Sequence, residues 1–184
     1  MRENQVAFRR TTVLSVRRGD CVAMGADGQV TLGETIVKAN AVKVRRLADG
    51  KVLVGFAGSA ADSLSLVERF QECLSKYGHH TMRAAIELAK LWRTDRILRR
   101  LESILAVSDA KVSLIVSGTG DVIEATDGVI GIGSGGAYAS AAARALLRNT
   151  DLPAGDVVRK SLEVTAEICV YTNQEIIVEE LCAP

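Results

Sequence analysis

The order of strand and helix signals restricts this chain more than any single residue does. Strand signals come first, and in pairs. Thr11–Val16 is rich in β-branched residues, Arg17–Asp20 reads as a turn, and the apolar run Cys21–Ala26 completes a hairpin. Asp27-Gly28 punctuates it, and a short extended stretch follows from about Gln29 to Ala39. Val42–Leu47 and Lys51–Phe56 make a second hairpin around Ala48-Asp49-Gly50.

The period then changes. Between Ala60 and Tyr77, Leu64, Val67, Phe70 and Leu74 recur three and four residues apart, which predicts an amphipathic helix closed by Gly78. Thr81 can cap a second, long helix reaching to about Leu105, with Ala85, Leu88, Leu91 and Trp92 on one face. Strands return at Val112–Ser117, Val122–Ala125 and Val129–Ile132. The loop Gly133–Gly136 leads into a helix ending near Asn149. Asp151 and Pro153 start another that runs to about Val170, and Glu175–Leu181 closes the chain as a strand.

Strands joined by hairpins make antiparallel sheets, and helices arriving as consecutive pairs make layers, not βαβ crossovers. The economical packing is α+β: two antiparallel sheets face to face with a helix pair outside each, a four-layer αββα sandwich. A doubly wound sheet fits poorly, because strands and helices do not alternate.

Composition agrees. A length of 184 residues suits one domain, and 48% hydrophobic residues can fill its core. No apolar stretch approaches the ~18 residues of a membrane span, so no membrane partner is expected. Lys and Arg number 23 against 22 acids, a formal net of +1, and only seven residues are aromatic. Neither feature suits a nucleic-acid binder. Met1–Arg46 nonetheless holds nine basic residues against four acidic ones.

The four cysteines, Cys21, Cys73, Cys169 and Cys182, show no metal-ligand spacing, so no zinc site is expected. Scattered cysteines with no secretory signal ahead of them suit a reducing compartment. The adjacent His79 and His80 follow a helix end and read as solvated, which disfavours a Ser-His-Asp hydrolase.

An enzyme short of histidine needs another base, and Thr11-Thr12 offers one. In the plainer reading these are ordinary strand threonines. In the other, cleavage after Arg10 makes Thr11 a new N-terminus. Its hydroxyl is then a nucleophile, and its own α-amine, of ordinary pKa ~7.7–8.0, is the base. Met1–Arg10 has no apolar run of secretory length and reads as a short polar leader, 1–10, ahead of a single domain, 11–184. In the run Asn40–Arg46, Lys43 is either a solvated edge charge or a neighbour that keeps the Thr11 amine neutral. Gly55, in Val54–Gly58, is either a tight-turn glycine or an oxyanion donor through its N–H. Gly131–Gly136 precedes a helix but lacks the Lys-Ser/Thr ending of a P-loop, so a turn that positions Ser134 is preferred to a phosphate site at Gly133–Gly136.

Together, Thr11–Arg18, Gly25–Gln29 with Thr31–Gly33, Lys43–Arg46, Gly55–Gly58, Trp92–Arg96, Gly131–Gly136 and Ile168–Asn173 resemble the HslV family. These are bacterial proteasome-like threonine peptidases that work with the ATPase HslU. The resemblance spans nearly the whole chain after Arg10, in the same order. It implies the N-terminal-nucleophile hydrolase fold, and a cytoplasmic homo-oligomer of two stacked six-membered rings. It also implies hexameric HslU rings that activate the peptidase and feed it unfolded protein substrates. Thr11 matches the family's nucleophile, Lys43 its lysine and Gly55 its oxyanion glycine. Asp27 and Ser134 match the polar residues supporting the amine. Ala166, Cys169 and Thr172 match positions whose backbone carbonyls hold a sodium ion. No organic cofactor is expected. The rival readings are a non-catalytic ring subunit of the same fold and the phosphate-binding module.

Overall fold

The computed structural model describes residues 11–98, 101 and 103–183. The leader expected over 1–10 lies outside the described residues. One sheet holds β1 (Thr12–Arg18), β2 (Cys21–Ala26), β10 (Val129–Gly133) and β11 (Ile177–Cys182), in the order β10-β1-β2-β11. The second runs β5 (Val44–Leu47), β6 (Val52–Gly58), β7 (Ser103–Ser108), β8 (Ser113–Ser117) and β9 (Val122–Glu124) in chain order. The stretch expected to be loosely extended is a separate hairpin of β3 (Val30–Leu32) and β4 (Thr35–Lys38). All pairings are antiparallel.

Alternation along the strands sorts the core into three layers. Val13, Met24, Leu53 and Ala106 meet between the sheets. Helices α1 (Ala60–Lys76) and α2 (Thr81–Thr94) cover the outer face of the second sheet through Leu66, Phe70, Leu88 and Trp92. Helices α3 (Gly136–Asn149) and α4 (Ala154–Ile168) cover the first sheet through Ala139, Ala143, Val158 and Leu162, packed on Leu14 and Val16. The four-layer sandwich expected from the element order is the observed fold.

Several local expectations change. Helix α2 stops at Thr94, well short of Leu105. The Asp95 carboxylate then accepts the N–H groups of Ile97 and Leu98, which turns the chain, and Ser103–Ser108 becomes the central strand β7. Its apolar run, buried on both faces from Leu105 to Val107, has no strand alternation to betray it. Leu64 and Leu91, assigned to the buried helix faces, are exposed, and Leu66 and Ala84 take those places. His80, not Thr81, caps α2, through Nδ1 accepting the Arg83 N–H at 3.3 Å.

The cysteines also differ from expectation. The β2–β11 register sets Cys21 opposite Cys182, and the two form a disulfide. They lie 161 residues apart in the chain, so no local spacing signals the pair. Cys73 and Cys169 are free and buried. Among the described residues, no helix is long and apolar enough to cross a membrane.

Candidate active site

Thr11 directly precedes β1 and is buried. Its carbonyl accepts the Ser134 N–H at 2.9 Å. This needs Gly133 at φ +84°, because a Cβ there would overlap the Thr11 carbonyl oxygen. Pairing of Thr12 with Gly133 continues the β1–β10 ladder up to this point.

Thr12 alternates to the other face. Its Oγ1 accepts the Gly135 N–H at 3.0 Å and shares a 2.7 Å hydrogen bond with Thr172 Oγ1. The Ser134 and Gly135 N–H groups ahead of α3 are therefore committed to the two threonines. A phosphate cradle at Gly133–Gly136 would need those same donors.

Lys43 lies one residue before β5, and the reading of it as a solvated edge charge does not hold. It is 4% exposed. Its Nζ donates to Asp27 Oδ1 at 2.9 Å and to the Gln29 carbonyl at 2.6 Å. Asp27, 1% exposed, also accepts the Thr12 N–H on Oδ1 at 2.9 Å and the Gln29 N–H on Oδ2 at 2.8 Å. One carboxylate oxygen thus joins the lysine to the backbone beside Thr11. Burial pulls the Lys43 pKa below the ordinary lysine value, and Asp27 opposes that shift by charge and hydrogen bond.

Gly55 sits mid-strand, paired with Val44 on one side and Ala106 on the other. The Phe56 N–H donates to the Lys43 carbonyl, so residue 56 points its N–H toward β5. A Cβ at Gly55 would press on Val13 and Met24 between the sheets, so packing alone requires glycine there. Gly58 ends the strand with a φ of +135°, which also suits glycine.

Ser134 is exposed and approaches Thr11 through its backbone N–H. Two further residues missed at the sequence level hold the surrounding loops. Gln29 Nε2 donates to Thr31 Oγ1 and to the Val170 carbonyl. Asn173 Oδ1 accepts the Gly28 N–H, and its Nδ2 donates to the Ala39 carbonyl.

Ala166 lies in the last turn of α4, Cys169 is its C-cap and Thr172 follows. The Cys169 carbonyl accepts the Thr172 N–H at 3.0 Å and keeps a second lone pair. Neutral carbonyls at a helix C-terminus, the negative end of its dipole, fit a monovalent cation. No cluster of His, Cys, Asp or Glu among the described residues could hold a transition metal.

Comparison with known proteins identifies the family. The family model described as "Proteasome subunit" matches residues 8–181. The crystal structure of eukaryotic HslV from Trypanosoma brucei is 46% identical, covers 94% of this chain and 100% of its own, and superposes with a TM-score of 0.89. Thiobacillus denitrificans BPH in complex with epoxomicin is 22% identical, covers 95% of this chain and 100% of its own, and has a TM-score of 0.73, a likeness of fold alone. The chain belongs to the proteasome family, as an HslV-like subunit of the threonine peptidase type.

Proposed function

We propose that cleavage after Arg10 frees Thr11 as the N-terminal nucleophile of this proteolytic subunit. The observation that carries this reading is the Asp27 oxygen shared by Lys43 Nζ and the Thr12 N–H. It fixes a buried cation against the backbone that bears Thr11. The Thr11 amine takes the hydroxyl proton as Oγ1 attacks a peptide carbonyl. Lys43 keeps that amine neutral by its like charge and stabilises the alkoxide. The Gly55 N–H receives the oxyanion of the tetrahedral intermediate. Collapse expels the amine product and leaves an ester on Thr11, which water hydrolyses. Asp27 holds Lys43 charged, and the backbone of Ser134 holds the Thr11 carbonyl in place.

The reading extends to the assembly. The subunits form two stacked six-membered rings in the cytoplasm. A hexameric HslU-type ATPase unfolds proteins, feeds them to the chamber and activates the peptidase. The likeness to HslV supports this. The carbonyls of Ala166, Cys169 and Thr172 would hold a sodium ion in the loop after α4. Thr172 also meets Thr12 through their hydroxyl contact.

The experiment is hydrolysis of a short fluorogenic peptide by the leaderless protein together with its partner ATPase. Turnover by the wild type and none by Thr11→Ala is expected. No turnover with the leader demonstrably removed would overturn the proposal in favour of a non-catalytic ring subunit.

A further inference from the structure

The catalytic reading leaves one covalent feature unused. The Cys21–Cys182 disulfide lies at the end of the first sheet opposite Thr11, since the far end of β2 is Ala26, which pairs with Val13. Cys182 is exposed and Cys21 half-buried. Cys182 also lines a cavity of about 530 Å3 between the α1–α2, β5–β6 and β7–β8 turns. The charged and titratable groups lining it are Lys51, His79, His80, Lys111 and Asp109. Oδ1 of Asp109 accepts the N–H groups of Lys111 and Val112, and the two lysines outnumber this one acid. An exposed cystine residue thus borders a cavity with a cationic rim.

We propose that this disulfide is a reversible thiol-exchange site, and that the cavity receives a small anionic thiol of the glutathione class. The incoming thiolate attacks Cys182 Sγ. A bond forms between the two sulfurs, the Cys182–Cys21 bond breaks, and Cys21 leaves as the thiolate. A second thiolate then attacks the sulfur of the bound small thiol, which releases Cys182 as a thiolate together with the small-molecule disulfide. The same disulfide reverses both steps. Access selects Cys182 as the attacked sulfur. Cys73 and Cys169 are buried, and burial pushes the Cys73 thiol pKa up, so both stay inert.

Reduction leaves β11 in its sheet. The register pairs from Ile177 to Cys182 remain, and Arg46 holds Glu179 by its side chain and Glu180 by its carbonyl. The exchange therefore removes one covalent tie at the end of β11, where the Ala183 N–H still donates to the Asp20 carbonyl, and spares the Thr11 site.

The test uses the assembled protein, purified with free thiols blocked at lysis and then treated with reduced glutathione at low salt. Intact and peptide masses are expected to show an oxidised Cys21–Cys182 pair at the start and a glutathione adduct on Cys182 during reduction. The double variant Lys51→Glu with Lys111→Glu, both exposed positions, should react with glutathione about tenfold more slowly. Its rate with neutral mercaptoethanol should match the wild type. A pair found reduced at purification, an adduct confined to another cysteine, or equal rates of wild type and variant with glutathione would overturn the proposal. So would equal slowing with both thiols.

Discussion

Lys43 Nζ lies 2.9 Å from Asp27 Oδ1, with side-chain exposures of 3% and 0%. A pair so far from water stands only because each member is also satisfied by backbone: the Gln29 carbonyl for Lys43, and the Thr12 and Gln29 N–H groups for Asp27. Lys43→Ala leaves a buried carboxylate without its cation. We expect a loss of about 3–5 kcal/mol of stability together with all activity. The double variant Lys43→Met with Asp27→Asn should recover much of the stability, read by denaturant unfolding, and none of the peptidase activity. Recovery of both would make the pair structural only.

The two threonines separate chemistry from packing. Thr11→Ala should assemble with near wild-type stability and lose turnover. Thr12→Ala should retain turnover at a reduced level, because its hydroxyl serves Gly135 and Thr172 rather than the substrate. Stranding those two groups should cost about 1–3 kcal/mol. Thermal unfolding beside a peptide assay reads both effects. A dead Thr12 variant with an active Thr11 variant would move the cleavage site by one residue.

Activity should also fall on the alkaline side. Charged Lys43 is required, and burial brings its pKa below the ordinary lysine value of ~10.4. Asp27 opposes that shift, so Asp27→Asn should move the alkaline limb of kcat/KM to lower pH. A limb that stays put would show that Lys43 does not set it. The stability term has a definite sign. The folded state binds this proton less tightly than the unfolded chain. Protonated Lys43 therefore costs stability below its folded pKa, and that cost is relieved as pH rises from the folded pKa toward ~10.4.

Gly55 and Gly58 should respond differently to alanine. Gly55→Ala inserts a methyl against Val13 and Met24, and its main effect should be about 1–3 kcal/mol of lost stability. By displacing the strand it should also lower kcat, by up to about 100-fold, the size of losing one oxyanion donor. Gly58→Ala strains a positive-φ residue and should cost stability with a smaller effect on kcat. Steady-state kinetics and melting curves for both variants decide the assignment. A kcat collapse in the Gly58 variant alone would move the oxyanion donor to Gly58.

The layered fold was legible because its pattern is periodic. Hairpins turning at Gly19 and Gly50, and two helix pairs, leave few ways to bury their apolar faces. Lys43 was legible as chemistry, but its burial was not, since a short Lys-Arg run looks solvated until β5 is placed. Strand β7 was hidden for the opposite reason: Ser103–Ser108 is apolar on both faces and extends the helical pattern before it. The roles of Thr12 and the Cys21–Cys182 pair depend on register, a relation between distant segments that no local spacing encodes.

The central claim is that Thr11 acts as a free N-terminal residue, and the intact mass of the peptidase-active protein tests it most directly. The account predicts a single species beginning at Thr11, with Met1–Arg10 gone. Active protein that retains those ten residues, or begins at any other position, would contradict it.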